Sequence, residues 1–209
     1  RMFTAQGVRM KRFATMTALF AFAAAAQAAP ETYVIDASNT ASLFSYRALG
    51  VSNQTHRFER ISGKMVFDQA SKTGSTEVTI DATSVNTGRA ALNEQIQAAD
   101  FFDTANHPVI SFKSNLVKLD GYQSSLSGNL TIKGVTLPVT LAVTNFQCMP
   151  DPTHKVEACG ANATVTIRRS DFNMGKYTFF VSDEITLNLA IKALKAQPAI
   201  HLASRDPIR

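Results

Sequence analysis

Apolar and polar residues alternate with a period of two along most of this chain, the signature of strands that bury one face. The clearest run is Glu184 to Ala193. There Ile185, Leu187, Leu189, Ile191 and Ala193 share one face, and Glu184, Thr186, Asn188 and Lys192 share the other. Leu126, Gly128, Leu130 and Ile132 alternate in the same way within Gln123 to Lys133. So do Ala163, Val165 and Ile167, then Val139, Leu141 and Val143, and the pair Val78 and Ile80. With Thr32–Asp36, Leu43–Ala48, Phe58–Phe67 and Val109–Lys118 this makes about nine predicted strands. Turn residues divide them at Lys72-Thr73-Gly74, Asp120-Gly121, Lys133-Gly134 and Pro150–Pro152. Strands that are apolar on one face predict an all-β antiparallel sandwich or barrel, because parallel strands are apolar on both faces.

One stretch departs from this pattern. Leu92, Ile96 and Ala99 recur at helical spacing among Glu94, Gln95 and Gln97, which predicts a short helix from Gly88 to about Asp100, started by Asn86-Thr87-Gly88. A lone amphipathic helix among strands can bury its stripe by capping the open end of a barrel. Phe101 and Phe102 follow, flanked by Asp100 and Asp103. They are expected either to turn inward as a plug that meets a ligand or to anchor the loop without touching one. Pro108 starts the next strand, with Ile110 and Phe112 pointing inward.

The 209 residues suggest one domain of substantial size, or at most two small ones. Residues 1–28 read as a leader: Met10-Lys11-Arg12 precedes an apolar run from Phe13 to Ala26, and Ala26-Gln27-Ala28 has the small-x-small form of a cleavage site. The apolar run is too short to span a bilayer, so it is expected to be a secretory signal peptide, with the mature protein in the periplasm. The folded domain is expected over 29–195, and 196–209, with Pro198 and Pro207, as a loose tail. Of 21 Lys and Arg against 16 Asp and Glu, four bases (Arg1, Arg9, Lys11, Arg12) lie in the leader; without them 17 face 16, a balance of +1. No basic stripe interleaved with aromatics remains, which argues against nucleic acid as a partner. Cys148 and Cys159 in an exported chain predict a disulfide. A competing reading makes Cys148, His154 and Cys159 ligands of a metal, although no fourth ligand is evident.

The segment "VNTGRAALNEQIQAADFFDTANHPVISFKS", followed by "GNLTIKGVTLPVTL", resembles the YceI-like family of exported bacterial lipid-binding proteins. "FSYRALGVSNQTHRFERISGKMVFD" upstream and "RSDFNMGKYTFFVSDEITLNL" downstream extend the resemblance from about Tyr33 to Leu194. It implies a lipocalin-like antiparallel barrel of about eight strands with one short helix at the mouth. It also implies that the barrel holds a long isoprenoid chain, a polyprenyl or quinone tail, or a similar amphiphile. Ala48 stands where the family has a histidine, His56 where it has a glycine, and Leu92-Asn93-Glu94-Gln95 where it often has Arg-Asp-x-His. These departures bear on the ligand's head group more than on its tail.

Fourteen Phe and no Trp supply greasy surface for a tunnel; any one Phe alone is better explained as core filling, and only the set argues for a lined space. The candidate ligand-binding set is Phe44, His56, Phe58, Phe67, Arg89, Leu92, Ile96, Phe101, Phe102, Ile110, Phe112, Phe172, Tyr177 and Phe179. The small inward residues Gly128, Ala163 and Ala193 suggest unfilled space. Arg89, Arg168, Arg169 and Lys176 are the cations placed to meet a pyrophosphate or quinone oxygen. No metal is expected, and no cofactor is required beyond the bound lipid. A homodimer and a transient membrane contact complete the partners considered. An enzyme would need an acid or base from Asp100, His56 or Asp171 facing the lumen, and no nucleophile-elbow, paired-histidine or phosphate-loop motif is present. The third alternative is a stress-response structural protein whose barrel is filled solid.

Overall fold

The structure, a computed structural model, describes residues 29–197. The leader expected over 1–28 lies outside them, as does the tail beyond Gln197.

The strands are β1 (Glu31–Ile35), β2 (Ala41–Ala48), β3 (Ser52–Phe58), β4 (Ile61–Asp68), β5 (Thr73–Asp81), β6 (Val85–Asn86), β7 (Val109–Ser114), β8 (Val117–Lys118), β9 (Gln123–Ile132), β10 (Val135–Asp151), β11 (Val156–Arg168) and β12 (Glu184–Lys195). Helix α1 (Ala90–Gln97) lies between β6 and β7. The order β1-β4-β5-β7-β9-β10-β11-β12 closes on itself through β1–β12 pairing, forming an antiparallel barrel of eight strands. Closure satisfies every strand edge within the ring.

Towards one end the wall changes course. β12 pairs β1 through Ala193–Lys195 but β2 through Thr186–Ala190, and β2 then pairs β3, and β3 pairs β6. Three breaks therefore lie side by side: residues 36–40, Glu59-Arg60, and the short turn Ala82–Ser84. The predicted strand Phe58–Phe67 is split at the second. There the Glu59 amide donates to the Ser84 carbonyl, the Asp81 amide to the Arg60 carbonyl, and Arg60 pairs with Asp81. Polar groups hold the bend, so the alternation passes through it without a visible gap.

Other boundaries shift for equally local reasons. Thr73 and Gly74 belong to β5, and the turn precedes them, held by Asp68 accepting from the Ala70 and Ser71 amides. β10 runs through Pro150 to Asp151, whose carboxylate caps the following turn at Thr153 and His154. Val109–Lys118 breaks into β7 and β8 at Asn115-Leu116. The helix is two residues shorter at each end than Gly88–Ala99, and Ala99 is exposed. Its start is braced by Thr87, which takes the Arg89 amide on its hydroxyl and gives its own N–H to Asn93.

Along β12 the pattern is realised as read: Ile185, Leu187, Leu189, Ile191 and Ala193 turn into the barrel. Outside, hydroxyl and amide pairs span neighbouring strands, such as Thr166–Thr186 and Thr164–Asn188. β10 keeps its phase only by a bulge at Asn145 (φ 57°), after which Phe146 and Cys148 face inward.

Candidate functional site

Inside the barrel three chambers lie in series. The middle one, about 40 Å3, is lined by Phe44, Phe58, Phe102, Ile110, Phe112, Leu130 and others, all apolar but Ser42. The lower, about 80 Å3, is lined by groups that include Gly160, Ala161, Ala163, Ala193 and Leu126. The two share Val78, Phe112, Leu141 and Leu189 as common wall. The upper chamber, about 110 Å3, opens beneath α1 between Tyr46, Leu92, Gln95, Ile96, Phe101, Arg169 and Val181. The cavity is slender, a narrow and mainly apolar slot through the barrel.

Phe102 divides the upper from the middle chamber. It is buried and meets Phe44 and Phe58 edge to face, with centroids 6.1 and 5.5 Å away. Its amide is fixed by the Ile96 carbonyl at 3.0 Å, so the end of α1 aims the ring inward. Phe101 lies above, lining the upper chamber on one side and stacked on Tyr177 at 6.0 Å. Asp100 holds this arrangement from outside, bonded to Lys176 and to the Tyr177 hydroxyl at 2.9 Å. Lys176, then Tyr177, keeps the Asp100 carboxyl below its ordinary value.

Of the candidate residues, Phe44, Phe58, Leu92, Ile96, Phe101, Phe102, Ile110 and Phe112 line these chambers. The others are elsewhere. Phe67 is buried and packs edge to face on Phe146 beside the lower chamber, and Phe172 is buried in the short turn Arg169–Phe172. Tyr177 stands outside Phe101, and Phe179 is 85% exposed, so neither touches the chambers. Arg89 is exposed beside the mouth. His56 is buried in the wall against Phe44, bonded to the Tyr46 hydroxyl at 3.2 Å. Burial, assisted by nearby Arg89, pushes its imidazole below the ordinary value, so it is neutral at pH 7.

Gly128 does not contribute free space. A Cβ there would lie 2.8 Å from the Phe112 ring, which occupies that room. The openness comes from Ala161, Ala163, Gly160 and Ala193 lower down. Met174, Tyr46, Met65 and Leu119 also line the chambers. Tyr46 was legible from its two-residue spacing after Phe44, whereas Met174 sits in an aperiodic turn that carries no signal.

Arg169 is the buried cation of the mouth. Its guanidinium is 1% exposed and donates to the backbone carbonyls of Ser182 (2.9 Å), Val181 (2.9 Å) and Met174. It also stands 6.0 Å from the Phe101 ring centroid. Three carbonyls satisfy it where water is absent, and in return it shapes the segment that forms one lip. No carboxylate or histidine lines any of the three chambers. Asp100 is turned to Lys176, Asp171 is exposed and His56 bonds Tyr46, so the acid and base candidates do not converge. Cys148 and Cys159 are joined as a disulfide across paired β10 and β11. The metal reading of these two with His154 is thereby set aside, because bonded sulfurs cannot ligate as thiolates; His154 instead faces Asp151 at 3.3 Å.

The family model of the YceI-like domain matches residues 33–193. The chain belongs to the YceI-like family. A UPF0312 protein of Pectobacterium carotovorum is 30% identical over 188 residues, which cover 88% of this chain and 97% of that one. Protein YceI of Escherichia coli O157:H7 is 32% identical over 174 residues, covering 82% and 91%. Among solved structures, BcnA of Burkholderia cenocepacia superposes with a TM-score of 0.67 at 26% identity, covering 76% of this chain and 98% of that one. A polyisoprenoid binding domain from Saccharophagus degradans, implicated in plant cell wall breakdown, superposes with a TM-score of 0.57 over 78% and 98%. At 18% identity it shows the fold alone. The YceI-like fold is therefore common to this chain and these structures, and the apolar slot is what its side chains here leave open.

Proposed function

We propose that this YceI-like protein binds and sequesters or carries one long-chain isoprenoid, polyprenyl or quinone-type, in the bacterial envelope. The tail lies in the middle and lower chambers and the head group in the upper chamber. The observation that carries this reading is the predominantly apolar lining of the three chambers, interrupted by Ser42 in the middle one and by Ser75 and Thr76 in the lower one, with Gln95, Tyr46 and Arg169 at the mouth. Burial of an alkyl chain contributes ~0.8 kcal/mol per methylene, so a tail of about twenty carbons offsets the ordering of both partners. Gln95, Tyr46 and Arg169 are the polar groups available to the head group. A lumen without acid or base favours holding a molecule over transforming it. The periplasmic location rests on the apolar run Phe13 to Ala26 and on the disulfide, which needs an oxidising compartment.

The test is mass spectrometry of a solvent extract from protein exported by a bacterial host, with native mass spectrometry for stoichiometry. One apolar molecule per chain is expected. Repeated preparations with no bound lipid, and no uptake of a polyprenyl or ubiquinone probe, would overturn the reading.

A further inference from the structure

Outside the mouth, two loops carry the exposed apolar side chains that the slot does not use. Leu49 and Val51, at the tip between β2 and β3, are 61% and 86% exposed; Phe179 and Phe180 are 85% and 54% exposed. The loops are tied into one surface. The Leu49 amide donates to the Phe180 carbonyl at 2.8 Å, the Ser182 amide to the Arg47 carbonyl at 2.9 Å, and Ala48 bridges Val181. Phe179 and Phe180 pack edge to face with centroids 5.3 Å apart. This surface is continuous with the chamber wall, because Val181, next to Phe180, lines the upper chamber.

Residues 41–58 and 172–182 hold Arg47, Arg57 and Lys176 and no Asp or Glu, although Arg57 pairs with Glu59, Lys176 pairs with Asp100, and Asp183 and Glu184 share a surface hollow with Arg47. Among the described residues, neither Arg47 nor nearby Arg89 pairs with a carboxylate; Arg47 spends one N–H on the Gly50 carbonyl, which fixes the tip. The opposite end differs. Exposed Leu116 and Tyr122 there neighbour Asp120, which is itself bonded to Lys72 and Lys118.

The geometry points to the mouth rim as a docking surface for an anionic lipid bilayer, with Leu49, Val51, Phe179 and Phe180 entering the interface. Apolar tips with cations beside them match the interfacial region, where apolar burial and anionic head groups add. The rim then places the mouth against the membrane, so an insoluble chain passes into the slot without crossing water. That purpose rests on the proposed function, whereas the docking itself does not.

The chain has no Trp, so Phe179→Trp in the full chain gives a single indole at the rim, and Tyr122→Trp gives one at the far end. Each is mixed with vesicles of phosphatidylethanolamine and phosphatidylglycerol. A blue shift and quenching by brominated acyl chains are expected for F179W and not for Y122W. Adding Leu49→Ser and Val51→Ser to F179W should weaken partitioning about tenfold or more. No shift in F179W, or equal shifts at both ends, overturns the proposal. A shift that grows with protein concentration without vesicles also overturns it, in favour of a second copy on the rim. Extraction of the same preparations separates the readings, because empty protein that still docks refutes lipid storage alone.

Discussion

Filling the lower chamber tests whether the lumen is hollow and whether the hollow is used. Ala163 is buried on β11 between Val143 of β10 and Leu189 of β12, and its methyl faces the space beside Ala161, Gly160 and Ala193. Ala163→Leu adds three carbons there. If they enter empty space, burial contributes up to about 2 kcal/mol at ~0.8 kcal/mol per carbon. For a barrel of this size that raises Tm by about 4–8 °C, read by circular dichroism on delipidated protein. The same carbons displace a lipid tail. Excluding about four methylenes from the chamber forfeits ~3 kcal/mol, a loss of roughly 200-fold in affinity for a polyprenyl probe. The expected result is therefore a more stable protein that binds worse. A filled lumen gives the opposite on the first count, with overpacking that lowers stability by about 1–3 kcal/mol. Unchanged affinity in a stabilised variant would mean that the tail lies elsewhere. Either outcome refutes the reasoning.

Three further expectations follow from the mouth and the wall. Arg169→Met leaves the Met174, Val181 and Ser182 carbonyls without their donor, which costs at least about 3 kcal/mol in urea unfolding; a loss under about 1 kcal/mol would contradict the role given to it. Lys176 and Tyr177 hold Asp100 below its ordinary value, so its contribution is complete above the ordinary carboxylate range and lost as pH falls through the lowered value. The Tm difference between wild type and Asp100→Asn should thus hold from about pH 7 to 5 and narrow below about pH 4, and a constant difference at pH 3 would exclude it. Reduction of Cys148–Cys159, eleven residues apart, should lower stability by about 2.7 kcal/mol on the loop-entropy account; a denaturant midpoint unmoved by reductant would show that the bridge constrains nothing.

Legibility from sequence divides along physical lines. Alternation in β9, β11 and β12 reported faithfully which side chains face inward, because the pleat allows only two directions. Helix α1 was also readable, since a local stripe determines it, whereas the residues alone left the Phe101-Phe102 pair between plug and anchor. Phe67, Phe172 and Phe179 carried the same letter as Phe44 but reached a buried place beside the lower chamber, a turn interior and open solvent. Hydrophobicity states what a residue prefers and not whether its place is a wall or a rim. Gly128 looked like a gap and is filled by Phe112 of the neighbouring strand.

The order of residues by itself determined an all-β antiparallel domain with one short helix and apolar inner faces, because those properties depend on neighbours one to four positions away. The register that sets Ser114 opposite Gly128 and brings the Phe112 ring against it, the three aligned breaks and the carbonyl cage of Arg169 were decided only in the folded barrel. Each joins residues from separate strands or loops, and no local period encodes which partner will lie opposite.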